Sequence, residues 1–260
     1  MNIFICHTSA LSFFRNGSIY ESYDLPTSNV QPNNKQTIKL KELQFLQLPY
    51  IEENSKLDLL TANQNARHRS SKFNIHYCSQ PFPYGSFLKF KQNVYIASPE
   101  LIFCQLANKL TNEELLLAGI ELCGNYSMSK EFASGFTNNV KPVTTPSKIY
   151  NFAKQLIQYQ PHTKGVKLAM NLSKYLVSNS ASPQESRLYL KLCLPRKHGG
   201  YGLKNIKLNK SIKLSKSSYN ILGYNTIRPD LCNEKTKVAI EYDSSAFHDN
   251  AGQNTKDKLR

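Results

Sequence analysis

Over the first hundred residues, short apolar and polar runs alternate: QTIKLKELQFLQLPYI (36–51), KFNIHYC (72–78) and SFLKFKQNVYIASP (86–99). That alternation predicts strands joined by loops rather than long helices, with the segment before Pro49 ambiguous between the two. Beyond it the apolar spacing lengthens and helix starts are written in capping chemistry. Ser98-Pro99-Glu100 sets a hydroxyl before a proline at the first helical position, and Thr111-Asn112-Glu113-Glu114 has the form of a capping box. These predict helices near 99–109 and 112–122, the second closed by Gly124. Thr145-Pro146 opens another over 146–158, ahead of Pro161. KGVKLAMNLSKYLV (164–177) carries apolar residues at helical spacing with lysines opposite.

Small polar residues in SNSASPQE (178–185) separate two patterns and predict a boundary there. A helix over 183–193 then leads through PRKHGGYG into NIKLNKSIKL, where Ile206, Leu208, Ile212 and Leu214 fall on alternate positions, as in a half-buried strand. Next come a strand near 226–232, a turn at Asn233-Glu234-Lys235-Thr236 and a strand over 237–243. The tail from His248 reads as a helix start cut short. No internal repeat is visible, so solenoids and propellers are set aside. The expectation is an α/β chain, α+β overall, with a mixed β then α region over 1–178 and a second domain over 179–260.

Composition adjusts this picture in three ways. The longest near-apolar run, around LLLAGIELCG (115–124), is too short and polar to cross a bilayer, which argues against a membrane partner. MNIFICHTSALSFFR lacks the basic leader and cleavage site of a secretion signal, so the cytoplasm is the expected location. Six cysteines are scattered without a CxxC pair, which suggests neither a zinc site nor a disulfide framework. The formal charge of +15 favours a polyanionic partner such as DNA, although codon bias toward Lys, Asn and Ile also gives such a composition. Distribution sharpens the point: from Lys164 to Asn225 there are twelve Lys or Arg and a single acid, Glu185. Lys191, Arg196 and Lys197 are the candidate contacts to a nucleic-acid backbone.

Against that basic background, TIRPDLCNEKTKVAIEYDSSAFH (226–248) concentrates Asp230, Glu241 and Asp243. On a strand, Ala239, Glu241 and Asp243 share one face while Val238, Ile240 and Tyr242 share the other. Asp230 joins the acids if the hairpin loop holds an even number of residues. Clustered carboxylates repel unless a cation neutralises them, and oxygen ligands suit Mg²⁺ or Mn²⁺. Spacing alone is equally met by an exposed strand face whose acids pair with lysines. Glu185 is also explained as the third position of a capping box begun by Ser182, and His248 as a polar residue at a helix start.

The order helix with an acid, strand, strand with Asp, strand with Glu-x-Asp, then helix resembles the restriction-endonuclease-like PD-(D/E)XK superfamily. The likeness is to its branch similar to very-short-patch-repair endonucleases, found in bacterial proteins with an AbiEi-antitoxin-like front half. SASPQESRLYLKLCLPRKHGGYGL (180–203), RPDL (228–231), VAIEYDSSAFH (238–248) and KDKLR (256–260) carry it. HTSALSFFR (7–15), VYIASPELIFCQLA (94–107) and GIELCGNY (119–126) carry it more weakly upstream. The resemblance implies an αβββα core lacking its last strand and a Mg²⁺- or Mn²⁺-dependent DNA endonuclease. Asp230 and Glu241 would be its metal ligands, Glu185 the helix acid, and Glu185 with Asp243 would complete the outer ligand set. Asp243 stands where a lysine is usual, so His248 or a lysine of the final helix would take over that role. The alternative it leaves is a catalytically inactive, nuclease-like DNA-binding or antitoxin-like regulator with a cognate toxin or other protein partner. No helix-turn-helix pattern stands near the N-terminus.

Overall fold

Phe4, Ile5, Leu59 and Ile96 are almost wholly withdrawn from solvent and mark the centre of a mixed six-stranded sheet. The structure, a computed structural model, describes residues 2–17, 25–35, 56–67, 70–129 and 132–242. Among them lie seven α-helices and a mixed sheet, an α/β fold. The chain forms two compact units, Met1–Ser178 and Asn179–Arg260.

In the first unit, strands β1 (Ile3–Ile5), β2 (Thr27–Ser28), β3 (Leu57–Thr61), β4 (Phe73–Tyr77), β5 (Phe87–Lys91) and β6 (Val94–Ala97) order as β2-β5-β6-β1-β3-β4. Pairs β1/β6 and β3/β4 run parallel, and the others antiparallel. Every residue of β1, β3 and β6 is buried, which is why IFI, LDLLT and VYIA read as continuous runs rather than alternations. β5 alternates in and out and turns back into β6 through Gln92-Asn93, where Asn93 takes φ 60°. Residues 36–51, read as ambiguous between strand and helix, lie outside the described residues.

Helices α1 (His7–Gly17), α2 (Pro99–Leu106), α3 (Asn112–Leu122), α4 (Pro146–Tyr159) and α5 (Val166–Ser173) complete this unit with the hairpin β7 (Tyr126–Met128) and β8 (Phe136–Asn138). The anticipated caps are in place. Ser98 Oγ accepts from the Leu101 N–H, Thr145 Oγ1 from Lys148, and Thr111 and Glu114 close a reciprocal capping box. Gly119 of α3 lies so close to Phe103 and Leu176 that an added Cβ would stand 2.6 Å from each. Arg15 on α1 grips Glu121 on α3 through two bonds, Nε to Oε1 at 2.9 Å and Nη2 to Oε2 at 2.7 Å. The Met128 N–H also donates to Glu121, so this buried carboxylate ties α1, α3 and β7 together.

The second unit holds α6 (Pro183–Cys193), β9 (Ile206–Leu208), β10 (Ile212–Lys213), α7 (Lys216–Leu222), β11 (Thr226–Ile227), β12 (Leu231–Asn233) and β13 (Val238–Ile240). Two expectations are corrected. The run 205–214 is not one strand, because Asn209 takes φ 49° and breaks it into β9 and β10, which join different sheets. The strand near 226–232 is likewise divided. β11 pairs with β10, and β12 forms the centre of an antiparallel three-stranded sheet, β13-β12-β9. Helix α7, capped by Ser215 and closed by Gly223 at φ 74°, lies between β10 and β11 in sequence. The strand expected over 237–243 is confined to β13 among the described residues.

Candidate functional site

Register decides what the acidic stretch can do. Leu231 pairs with Ile240, Cys232 with Ala239 and Asn233 with Val238, around a four-residue turn, Glu234 to Lys237. The loop is even. One step beyond the last pair, Asp230 therefore stands opposite Glu241, and opposed residues of an antiparallel pair project to the same face. Two bonds lock the juxtaposition: the Asp230 N–H donates to Glu241 Oε2 at 3.3 Å, and the Tyr242 N–H to Asp230 Oδ2 at 2.7 Å. Glu241 is exposed and Asp230 half-buried. At the turn, Glu234 accepts from both Lys207 and Lys210, so the acid nearest the lysines is neutralised by them.

Glu185 approaches this pair through Asn209. The left-handed turn at Asn209 directs its backbone N–H to the Asp230 carbonyl at 3.0 Å, while its Nδ2 donates to Glu185 Oε2 and, at 2.9 Å, to the Asn179 carbonyl. Glu185 also caps its helix. Its N–H donates to Ser182 Oγ at 3.1 Å, and its carboxylate accepts from Ala181 at 2.9 Å, one residue further back than a capping box requires. Burial raises the pKa of Glu185, with the charge of Asp230 adding, against the lowering effect of the bonds from Ala181, Asn209 and Ser182. Glu185, Asp230 and Glu241 do not gather their oxygens within 4.8 Å as a group of three. What the fold builds is an opposed pair, with Glu185 linked to it at one remove. Asp243 and His248 lie outside the described residues.

The basic candidates surround the end of α6. The loop after the helix folds back on it: the N–H groups of Tyr201, Gly202 and Leu203 donate to the carbonyls of Lys191, Leu194 and Leu192 at 2.9 Å each, satisfying groups a helix end leaves open. Gly200 permits this, since a Cβ there would lie 2.1 Å from the Leu194 carbonyl oxygen. The fold-back sets the exposed Tyr201 ring 5.7 Å from the Lys191 ammonium and leaves Lys191, Arg196 and Lys197 exposed.

Sequence reasoning missed a second polar cluster, in the first unit. Asp58, in the otherwise apolar LDLLT of β3, is 3% exposed. Its Oδ1 accepts from His76 Nε2 at 2.7 Å, Asn74 Nδ2 at 3.3 Å and Lys109 Nζ at 3.5 Å, and its Oδ2 from the Ser9 N–H at 3.4 Å. Burial alone would raise its pKa, but the bond from His76 and the charge of Lys109 outweigh it and hold the group at about 2. The His76 ring stacks on His7 with centroids 3.8 Å apart, and His7 Nδ1 lies 3.1 Å from Cys6 Sγ. His7 adopts φ 49°, and its N–H donates to Gln105 at 3.0 Å. Burial, then the charges of His76 and Lys109, lower His7 to about 3, so its imidazole is neutral at working pH. The Cys6 thiol is pushed well up by burial and by the charge of Asp58. Cys6, His7 and His76 bring one donor atom each within 4.8 Å of one another and could hold a metal ion. The spacing of the cysteines alone suggests no zinc site, and this group is one that spacing does not reveal. The six are free thiols, and the relevant one is partnered by histidines rather than by a second cysteine. The sequence did carry two signals: a Cys-His pair directly after a buried run, and a lone aspartate inside another.

No helix among the described residues is long and apolar enough to cross a membrane. No protein-family model matches the chain, and comparison with curated proteins and with solved structures gives no significant match.

Proposed function

We propose that the chain is a metal-dependent DNA endonuclease of the restriction-endonuclease-like type, hydrolysing phosphodiester bonds in its second unit. The observation that carries this reading is the register that opposes Asp230 to Glu241. Their hard oxygen donors, one half-buried and one exposed, suit Mg²⁺ or Mn²⁺. Such an ion, when bound, supplies a water of lowered pKa and neutralises charge on the phosphate. Glu185 acts as a positioning residue: through Asn209 it fixes the strand that bears Asp230. Lys191, Arg196 and Lys197 hold the DNA backbone without selecting sequence, and the exposed face of Tyr201 beside Lys191 offers a surface to an unstacked base. Incubation of the full chain with supercoiled plasmid and Mg²⁺ tests the proposal. Nicking or cutting is expected, and a drop of at least 100-fold in Asp230→Ala/Glu241→Ala. Cutting that survives the double substitution overturns it.

One observation favours a second reading, a nuclease-like DNA-binding or regulatory module without catalysis. Both acids already accept a backbone N–H from the opposite strand, which is a structural use sufficient by itself. This reading expects DNA binding that falls with salt and is indifferent to chelators. Calorimetric detection of Mg²⁺ or Mn²⁺ at the pair counts against it.

A further inference from the structure

We propose that Cys6, His7 and His76 form a binding site for one borderline-soft transition ion of the zinc class, distinct from any ion at Asp230 and Glu241. The proposal does not rest on the nuclease reading, because the three residues belong to the Met1–Ser178 unit.

Four observations support it. The donors, a thiol and two imidazoles, are the set that selects Zn²⁺ or Co²⁺ over Mg²⁺. Strand pairing brings them together from distant parts of the sequence: the Cys6 N–H donates to the Asp58 carbonyl at 3.0 Å, and β3 pairs with β4 so that Asp58 lies beside Asn74, two residues before His76. The outer nitrogen of His76 is then fixed. Asp58, a buried carboxylate that can only accept, takes a hydrogen bond from Nε2–H at 2.7 Å and leaves Nδ1 as the nitrogen available to an ion. A carboxylate holding the far nitrogen of a ligand histidine is the usual outer arrangement of zinc sites. Finally, His7 sits at a left-handed φ of 49°, a conformation unusual for a residue with a side chain, and its N–H is pinned to Gln105. That strain sets the imidazole against Cys6 rather than out into solvent.

The two rings lie stacked, 24° from parallel. One ion reaches a nitrogen of each ring only after a change in ring orientation; Asp58 holds His76, so the adjustment falls to the His7 side chain, which stays beside Cys6. The Cys6 thiol gives up its proton to solvent as the sulfur–metal bond forms. Three protein ligands leave a fourth position for water or a small ligand.

The test is titration of the chelator-treated full-length protein with Co²⁺, followed by absorption. One equivalent is expected to give thiolate-to-cobalt charge transfer in the near ultraviolet and the visible bands of tetrahedral Co²⁺, both erased by Zn²⁺ and unaffected by excess Mg²⁺. Cys6→Ser is expected to lose the charge-transfer band, and Cys193→Ser to keep it. Asp58→Asn is expected to keep the band while binding 10- to 100-fold more weakly. Asp230→Ala/Glu241→Ala should titrate like the parent. No band at one equivalent, or a band that persists in Cys6→Ser, overturns the proposal. Should the variants fail to fold, X-ray absorption of the zinc-loaded parent decides: a shell with one sulfur and two imidazoles supports the site, and an all-nitrogen-and-oxygen shell refutes it.

Discussion

Asp58 shows what one buried charge does to a small core. Its carboxyl is held at about 2 against an ordinary 3.8, so the folded state prefers it ionised. The stabilisation is fully present above the unfolded value near 4 and is lost as pH falls through the folded one. It amounts to about 2 kcal/mol. Urea unfolding is expected to show the first unit losing that much between pH 4 and pH 2, with Asp58→Asn flattening this acid limb while lowering stability at neutral pH. An unchanged acid limb in Asp58→Asn would show that the bonds from His76 and Lys109 contribute nothing net. Local sequence showed only the lone aspartate in an apolar run, and none of its partners. The residues concerned are 7, 9, 58, 74, 76 and 109, and the register of β3 and β4, with the packing of α1 and the end of α2 beside them, makes them neighbours.

Helices were more readable than strands, for a reason of range. A cap is a contract between residues three apart, so Ser98, Thr111, Thr145 and Ser182 announce their helices with no knowledge of the rest of the chain. A strand is defined by its partner. Ile206, Leu208, Ile212 and Leu214 alternate as a single strand should, yet one half pairs with β12 and the other with β11, and the break falls at an asparagine that alternation does not flag. That the acids share a face was legible for the complementary reason, since parity along a short hairpin is a local property; the exact opposition was not, because the turn falls at 234–237 rather than at 233–236. Element packing also sets the sign of one substitution. Gly119→Ala should favour an isolated helix by about 1 kcal/mol. Here the new methyl meets Phe103 and Leu176 at 2.6 Å, and overpacking costs about 1 to 3 kcal/mol. A lower Tm is expected, by thermal unfolding followed in circular dichroism. A higher Tm would mean that Phe103 and Leu176 yield freely.

For the whole molecule, the net charge of +15 matters through where it gathers. A protein that neutralises phosphates with lysine and arginine releases counterions, and each contact contributes about 0.9 to the slope of log affinity against log salt on duplex DNA. Replacing Lys191, Arg196 and Lys197 with alanine should weaken binding across all sequences alike and reduce that slope by up to about 2.7. Fluorescence anisotropy over a range of salt concentrations reads both. A slope that does not change would place the DNA-binding surface away from the end of α6.

The turn from Glu234 to Lys237 also constrains the gene. Three bases inserted into its codons leave the reading frame intact, yet where the hairpin keeps a four-residue turn they shift every later residue by one strand position, sending Glu241 away from Asp230. Six bases bring it back. Length variants of this segment should therefore keep or lose the proposed Mg²⁺-dependent cutting in alternation, a pattern a saturation library of insertions would reveal without any point mutation in the acids.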